Sequence, residues 1–306
     1  MTPPSIAVVG SINADLTVRT PRHPAPGETL LASGGEITPG GKGANQALAA
    51  ALLGSQVRFI GAVGTDTHAD EATKLLRAAG VDLSGVTAVS EPTGIALITV
   101  ADDGENTILV VAGANSFVDK QLVDARAATI ANADLLLLQG EIPADGFRAA
   151  VEQARAHATR VVVNLAPVID VERDALLQAD PLVVNEHEAA LVLQMLGNAH
   201  PGDTNPDDAA TSLVAAGFSS VVITLGAKGA VVSTRDERPV SVPSPTVTAV
   251  DTVGAGDAFT GALCHRLVAG DSLEDAVRFA VRVGAYAVTS PGAQPSYPTA
   301  ADTLPD

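Results

Sequence analysis

Between Asp251 and Phe259 the chain reads Asp-Thr-Val-Gly-Ala-Gly-Asp-Ala-Phe. Two glycines and two carboxylates stand directly ahead of an apolar run with helical character, Ala258–Ala269. Glycines let successive backbone N–H groups turn toward one point, and a helix start adds partial positive charge there. Such a cradle suits a phosphate. Asp257 inside it would repel that phosphate unless it takes a proton from the group that attacks it. The segment therefore points to phosphoryl transfer rather than phosphate binding alone.

A second glycine-rich stretch is Pro39-Gly-Gly-Lys-Gly-Ala-Asn-Gln46. It is not a P-loop, because Gly43 follows Lys42 where Ser or Thr is required and Glu36 occupies the first glycine position. It brings backbone, Lys42 and Asn45 to something small at a helix start, where both side chains can hydrogen-bond hydroxyls. A glycine turn with a solvated lysine accounts for it equally well. Asn13 and Asp15 follow the first strand, where open α/β sheets bind ligands, and the pair suits vicinal hydroxyls of a sugar. An Asx-rich turn is the alternative. Glu141 and Asn185-Glu-His-Glu188 also follow strands, and carboxylates there that face a phosphate site are candidate magnesium ligands, often through water. Glu186 would serve as well as a helix N-terminal acid. Thr224-Leu-Gly-Ala-Lys-Gly229 offers a bed for a nucleotide or a tight turn between strands.

Other signals lead away from metal or thiol chemistry. The six histidines lack zinc-site spacing. Asp203-x-Asn205-x-Asp207 has no glycine at the sixth position of a calcium loop. Cys264, the sole cysteine, lies in an apolar run and reads as a core residue.

The elements that must position these residues are short, continuous apolar runs separated by helical patterns. Strands are expected at Ser5–Gly10, Arg58–Val63, Asp134–Leu138, Arg160–Leu165, Leu182–Val184 and Val221–Leu225, with helices at Ala44–Leu53 and Ala69–Ala79. This alternation predicts a mostly parallel sheet covered on both faces. Two stretches depart from it: Leu16–Ile37, with a Pro-rich turn, and Thr93–Val111, a hairpin turning at Asp102-Asp-Gly104. They predict a small separate sheet, either a flap over an active site or a dimerising surface.

At 306 residues with 46% hydrophobic content the chain can bury a sizeable core. Its formal charge of −17, from 18 basic and 35 acidic residues, disfavours nucleic acid and anionic membrane as partners. The opening Met1-Thr-Pro-Pro-Ser5 lacks a basic leader, so a cytoplasmic protein is expected.

Taken together, the segments resemble the ribokinase family of carbohydrate kinases, also called the phosphofructokinase B family. Gly40–Gln46 is similar to its N-terminal signature and Asp251–Phe259 to its C-terminal one. Gly10–Asp15, Gly104–Asn106, Ala112–Asn115 and Gly292–Ser296 match in the same order. The resemblance implies a ribokinase-like three-layer α/β sandwich. Residues 1–15, 38–92 and 112–306 would form the main domain, and 16–37 and 93–111 a β-sheet lid that also forms a homodimer. It implies sugar contacts at Asn13, Asp15, Gly41, Lys42, Asn45 and Glu141, a catalytic base at Asp257, and an anion hole from the backbone of Gly254, Ala255 and Gly256. ATP would lie on Asn185, Thr224, Gly226, Ala227, Gly229 and Gly256, with magnesium near Glu188. A monovalent cation, potassium, would sit at Asp251, Val253, Ala287, Ser290, Gly292 and Ser296, mostly on backbone carbonyls. Val281 stands where members often carry a histidine beside the adenine, and Ala112 where proline is common. The implied reaction is transfer of the ATP γ-phosphoryl to O5 of D-ribose. Deoxyribose, a ketohexose or a nucleoside are alternative acceptors, and a non-catalytic sensor is a rival of another class.

Overall fold

The structure is a computed structural model that describes residues 4–103, 105–197, 205–235 and 237–306. Gly104, expected in the hairpin turn, and 201–204 of the polar loop lie outside the described residues. In chain order the elements are β1 (Ser5–Val9), β2 (Asn13–Thr20), β3 (Ser33–Gly40), α1 (Lys42–Leu52), β4 (Gln56–Val63), α2 (His68–Ala78), β5 (Asp82–Ala88), β6 (Gly94–Ala101) and β7 (Asn106–Val111). Then follow α3 (Lys120–Asp124), α4 (Ala127–Ala131), β8 (Leu135–Gln139), α5 (Ala144–Ala156), β9 (Arg160–Asn164), α6 (Arg173–Leu176), β10 (Leu182–Asn185) and α7 (Glu186–Met195). The chain closes with α8 (Pro206–Ala216), β11 (Ser220–Thr224), β12 (Ala230–Thr234), β13 (Val240–Val242), α9 (Ala255–Val268) and α10 (Leu273–Ala287).

The large sheet has the order β13-β12-β11-β10-β9-β8-β1-β4-β5. Its strands run parallel from β5 through β11, and β12 and β13 join antiparallel. Strand order moves off in opposite directions on either side of β1. The crevice beyond the carboxyl ends of such strands is where open α/β sheets take ligands. Alternate β1 residues feed two cores. Ile6 and Val8 pack with α1, α2, α9 and α10, while Ala7 and Val9 pack with α3 to α8. Both faces are covered, which is why these strands are continuously apolar.

The small sheet has the order β3-β2-β6-β7. Its strands extend past the expected segments, since β2 begins at Asn13 and β3 ends at Gly40. Asn13 and Asp15 are thus residues of the small sheet, not of a loop after β1. Ala96, Ile98, Ile108 and Val110 share one face with Asp15, while Leu97, Leu109 and Val111 share the other.

Helices α1 and α9 pack side by side, and Gly261 makes their close approach possible. A Cβ there would stand 2.5 Å from the Gln46 carbonyl and 2.7 Å from Ala49 Cβ. Gly261→Ala must push the helices apart and should cost about 1–3 kcal/mol. Urea denaturation should show a lower midpoint with an unchanged slope; an unchanged midpoint would mean that the interface yields freely.

Candidate active site

The site forms where the carboxyl ends of β1 and β8 meet the starts of α1 and α9. Helix α9 begins at Ala255, a turn earlier than its apolar run suggests, so Gly256 and Asp257 lie in its first turn. Gly254 is its N-cap, with φ 76°. A Cβ at Gly254 would lie 2.5 Å from Ala293 Cβ and 2.7 Å from the Tyr297 hydroxyl, so both conformation and space demand glycine. The Tyr297 hydroxyl donates to the Gly254 carbonyl at 3.0 Å. Of the amides expected in an anion hole, Ala255 N–H already donates to the Thr252 carbonyl at 3.3 Å. Those of Gly256 and Asp257 have no acceptor among the described residues. They are the orphan donors that every helix start leaves.

Asp257 is buried, with 6% exposure. Asn45 Nδ2 donates to its Oδ2 at 2.9 Å, and Gln46 Nε2 to its Oδ1 at 2.8 Å. Both donors come from the first turns of α1. The carboxylate lines a cavity of about 250 Å³ together with Asn13, Asp15, Gly41, Lys42, Asn45, Glu141, Val253 and Gly254. All the residues expected to touch a sugar therefore meet around one space. Ala96, Ile98, Ile108 and Val110 of the small sheet close its other side.

Charge in this cavity is strongly one-sided. Asp15 is pushed up to about 7, first by burial and then by Glu141 and Asp257. Its Oδ1 is buried with no hydrogen-bond partner among the described residues. Lys42 is raised, chiefly by Asp257 against the opposing effect of burial. Asn13 is aimed by Asn115, whose Nδ2 donates to Asn13 Oδ1 at 2.7 Å. Glu141 Oε2 accepts from Ser11 Oγ at 2.5 Å and from the Lys42 amide at 3.0 Å. Glu141 thereby ties β8 to the ends of β1 and the Gly41 turn, in addition to lining the cavity.

A cleft of about 710 Å³ lies on the other side of the α9 start. Asn185, Thr224, Gly226, Ala227, Gly229, Ala255, Gly256 and Val281 line it. Thr224–Gly229 is also the connection from β11 to β12, so the turn between strands itself lines this cleft. Asn185 and Glu188 are occupied with each other. Asn185 Oδ1 accepts from the Glu188 amide and Glu188 Oε2 from the Asn185 amide, both at 2.8 Å, forming a capping box on α7. Glu188 is raised by burial and lines a third cavity, of about 640 Å³, with Lys42 and Glu141.

Of the residues expected around a monovalent cation, Val253 lines the 250 Å³ cavity, while Asp251, Ala287, Ser290, Gly292 and Ser296 line none of these three spaces. Asp251 Oδ1 accepts from the Val253 amide at 3.0 Å and Oδ2 from the Gly292 amide at 2.8 Å. The carboxylate thus ties the approach to α9 to the turn after α10. The carbonyls of Val253, Ala287, Ser290, Gly292 and Ser296 receive no hydrogen bond among the described residues. Among those residues no cluster of three or more His, Cys, Asp or Glu could hold a metal, and no helix is long and apolar enough to cross a membrane.

Sequence reasoning gave no role to Ser11, Gln46, Asn115, Gln139, Asn164, Gln294 or Tyr297. Gln46, Asn115 and Gln294 stand inside quoted motifs, which was the available signal. Gln139 and Asn164 had only their place at strand ends.

A mostly parallel sheet, a small sheet facing its ligand crevice and a helix start between two cavities define a kinase of small hydroxylated molecules. The profile of the pfkB family carbohydrate kinases matches residues 3–300, and the chain belongs to that family. It is 38% identical to a ribokinase of Haemophilus influenzae over 98% of this chain and 97% of that one. Identity to a deoxyribokinase of Salmonella typhi is also 38%, over 96% of this chain and 95% of the relative. The structure of Arabidopsis thaliana ribokinase complexed with ribose and ATP superposes with a TM-score of 0.88 at 34% identity, covering 98% and 97%.

The raised Asp15 carboxyl has a consequence for the free protein. Below its unfolded value of 3.8 its contribution to stability is fully present, and it is lost as pH rises through about 7. Thermal denaturation without ligand should show Asp15→Asn gaining stability over the wild type between pH 5 and pH 8. Parallel melting curves across that range would contradict the assignment.

Proposed function

We propose that this chain transfers the γ-phosphoryl group of ATP to O5 of D-ribose. The observation that carries this is the start of α9: Asp257 lines the 250 Å³ cavity while Gly256 lines the 710 Å³ cleft. One helical turn separates an acceptor site from a donor site, as direct transfer requires.

In this reading ribose lies among Asn13, Asp15, Lys42, Asn45 and Glu141, with O5 toward Asp257. Asp257 accepts the O5 proton as O5 attacks the γ-phosphorus and the bond to the bridging β–γ oxygen breaks. Each oxygen of Asp257 keeps a lone pair beyond the one that an amide engages. The free amides of Gly256 and Asp257 stabilise charge on the transferred group, each such donor being worth about 3 kcal/mol. The small sheet excludes water, a competing acceptor. The adenosine part of ATP lies along Thr224–Gly229, where the surround at Val281 is apolar.

Magnesium bound with the ATP phosphates would neutralise their charge, and Glu188, beside Lys42, would reach it through water. Potassium would be held by Asp251 and the carbonyls of Val253, Ala287, Ser290, Gly292 and Ser296, which receive no hydrogen bond among the described residues, and would hold the Val253–Gly254 loop in shape. A cytoplasmic location accords with this chemistry, since ATP is the donor.

Two acceptors need weighing, because the ribokinase and deoxyribokinase relatives are equally similar. The partnerless Asp15 Oδ1 favours the sugar with the additional hydroxyl. A site built to bind a hydroxyl discriminates strongly against an analogue that lacks it.

The small sheet would also join two copies as a homodimer. One of its faces lines the sugar cavity, and on the other Leu97, Leu109 and Val111 are 37%, 62% and 64% exposed. An apolar sheet face with an open edge strand, β7, needs a cover.

Asp257→Asn should lower kcat by about 10²–10⁴-fold, while calorimetry shows ribose affinity within a few-fold of wild type. Turnover near the wild-type rate in that variant sinks the base assignment. Leu109→Lys should convert a dimer to a monomer in sedimentation velocity; a wild-type protein that sediments as a monomer would refute the dimer.

A further inference from the structure

Two short chains of side-chain amides end on Asp257, one at each carboxylate oxygen, and both run in one direction. Gln139 Nε2 donates to Gln46 Oε1 at 2.8 Å, and Gln46 Nε2 donates to Asp257 Oδ1 and to Asn164 Oδ1, both at 2.8 Å. Gln294 Nε2 donates to Asn45 Oδ1 at 2.9 Å, and Asn45 Nδ2 donates to Asp257 Oδ2 at 2.9 Å. Apart from the branch to Asn164, every link turns an N–H toward the carboxylate. The outermost oxygens, Gln139 Oε1 and Gln294 Oε1, are buried without partners among the described residues.

A glutamine has a donor end and an acceptor end of nearly equal size. Which end faces Asp257 is therefore decided by the neighbours of Gln46. Gln139 presents a donor to Gln46 Oε1, and Asn164 presents an acceptor to Gln46 Nε2. Asn164 is itself turned this way because its Nδ2 donates to the Val183 carbonyl at 3.0 Å. Gln139 is fully buried at the end of β8, and it lines none of the three cavities. A network serving packing alone has no reason to leave both outer oxygens unpaired while Gln139, Gln46, Gln294 and Asn45 all turn an N–H along the chains toward Asp257.

We propose that Gln139 is a positioning residue for phosphoryl transfer: through Gln46 it keeps an amide donor, rather than an amide oxygen, against Asp257. This rests on the proposed role of Asp257 as the base. A lone pair of an amide oxygen set against Asp257 would repel the carboxylate and displace it from the acceptor hydroxyl.

The test compares Gln139→Glu with Gln139→Met, using kcat and KM for D-ribose and ATP between pH 6 and pH 9. Gln139→Met removes the outer donor and should lower kcat on the order of 10-fold with both KM values near wild type. Gln139→Glu keeps the shape. At low pH its buried, protonated carboxyl still donates to Gln46 Oε1, and turnover should approach that of wild type. As it ionises with rising pH it becomes an acceptor and draws Gln46 Nε2 away from Asp257. Its kcat relative to wild type should then fall below that of the Met variant. A packing role predicts that the isosteric Glu variant is the milder one at every pH, and that result overturns the proposal. Wild-type kcat in both variants overturns it too. If the buried glutamate prevents folding, the Met variant decides by its kcat alone, an unchanged value being the refutation. Asp257→Asn assayed alongside separates the two claims. Retained turnover there removes the base, whereas a dead Asp257→Asn beside unaffected Gln139 variants removes only the relay.

Discussion

Asp257 is held by side-chain amides of α1 while standing in the first turn of α9. These two helix starts lie 211 residues apart in sequence, the separation of Gln46 and Asp257. They meet because Gly261 lets the helices pack with a backbone carbonyl almost in contact. β1 and β8 then deliver Ser11, Gln139 and Glu141 to the same crossing. The 250 Å³ cavity, the 710 Å³ cleft and the loop tied by Asp251 are all arranged around that contact. Displacing α9 by an ångström would alter each of them together.

The second constraint is electrostatic. A chain with a formal charge of −17 is proposed to bind a polyanion beside three carboxylates, Asp15, Glu141 and Asp257. The attraction must be local. In the proposed reading it would come from the orphan amides at the α9 start, from Lys42 and from cations bound with the nucleotide. Burial and the neighbouring Glu141 and Asp257 raise Asp15. In the proposed reading a sugar hydroxyl pairs with its Oδ1.

Much of this was legible in the sequence. The parallel core announced itself through β1, β4, β8, β9, β10 and β11, whose apolar runs have no alternation because both faces are covered. Glycine spacing at Gly41–Gly43 and Gly254–Gly256 marked the two helix starts, and the residues expected to face a sugar line one cavity. β5 was missed because an edge strand reading Asp-Leu-Ser-Gly-Val-Thr-Ala is polar and half exposed. β13 has three residues, too few for any pattern. The α9 start was placed late because glycine and aspartate are poor helix formers, yet they occupy the first turn where propensity matters least. Asn185 and Glu188 read as ligand contacts, and the fold shows them also serving as a helix cap. Gln139 and Asn164 were invisible, since a buried amide at a strand end acquires meaning only from the partner that three-dimensional packing supplies.

The central claim is that this site moves a phosphoryl group from ATP to a pentose hydroxyl at the tip of α9. The most direct measurement is a coupled ADP-release assay with D-ribose, ATP, magnesium and potassium, with the product identified by ³¹P and ¹³C NMR. Transfer to O5 gives sugar-dependent ADP release and a single monoester on C5. ADP release that does not depend on the sugar, or a phosphate on another carbon, would contradict it.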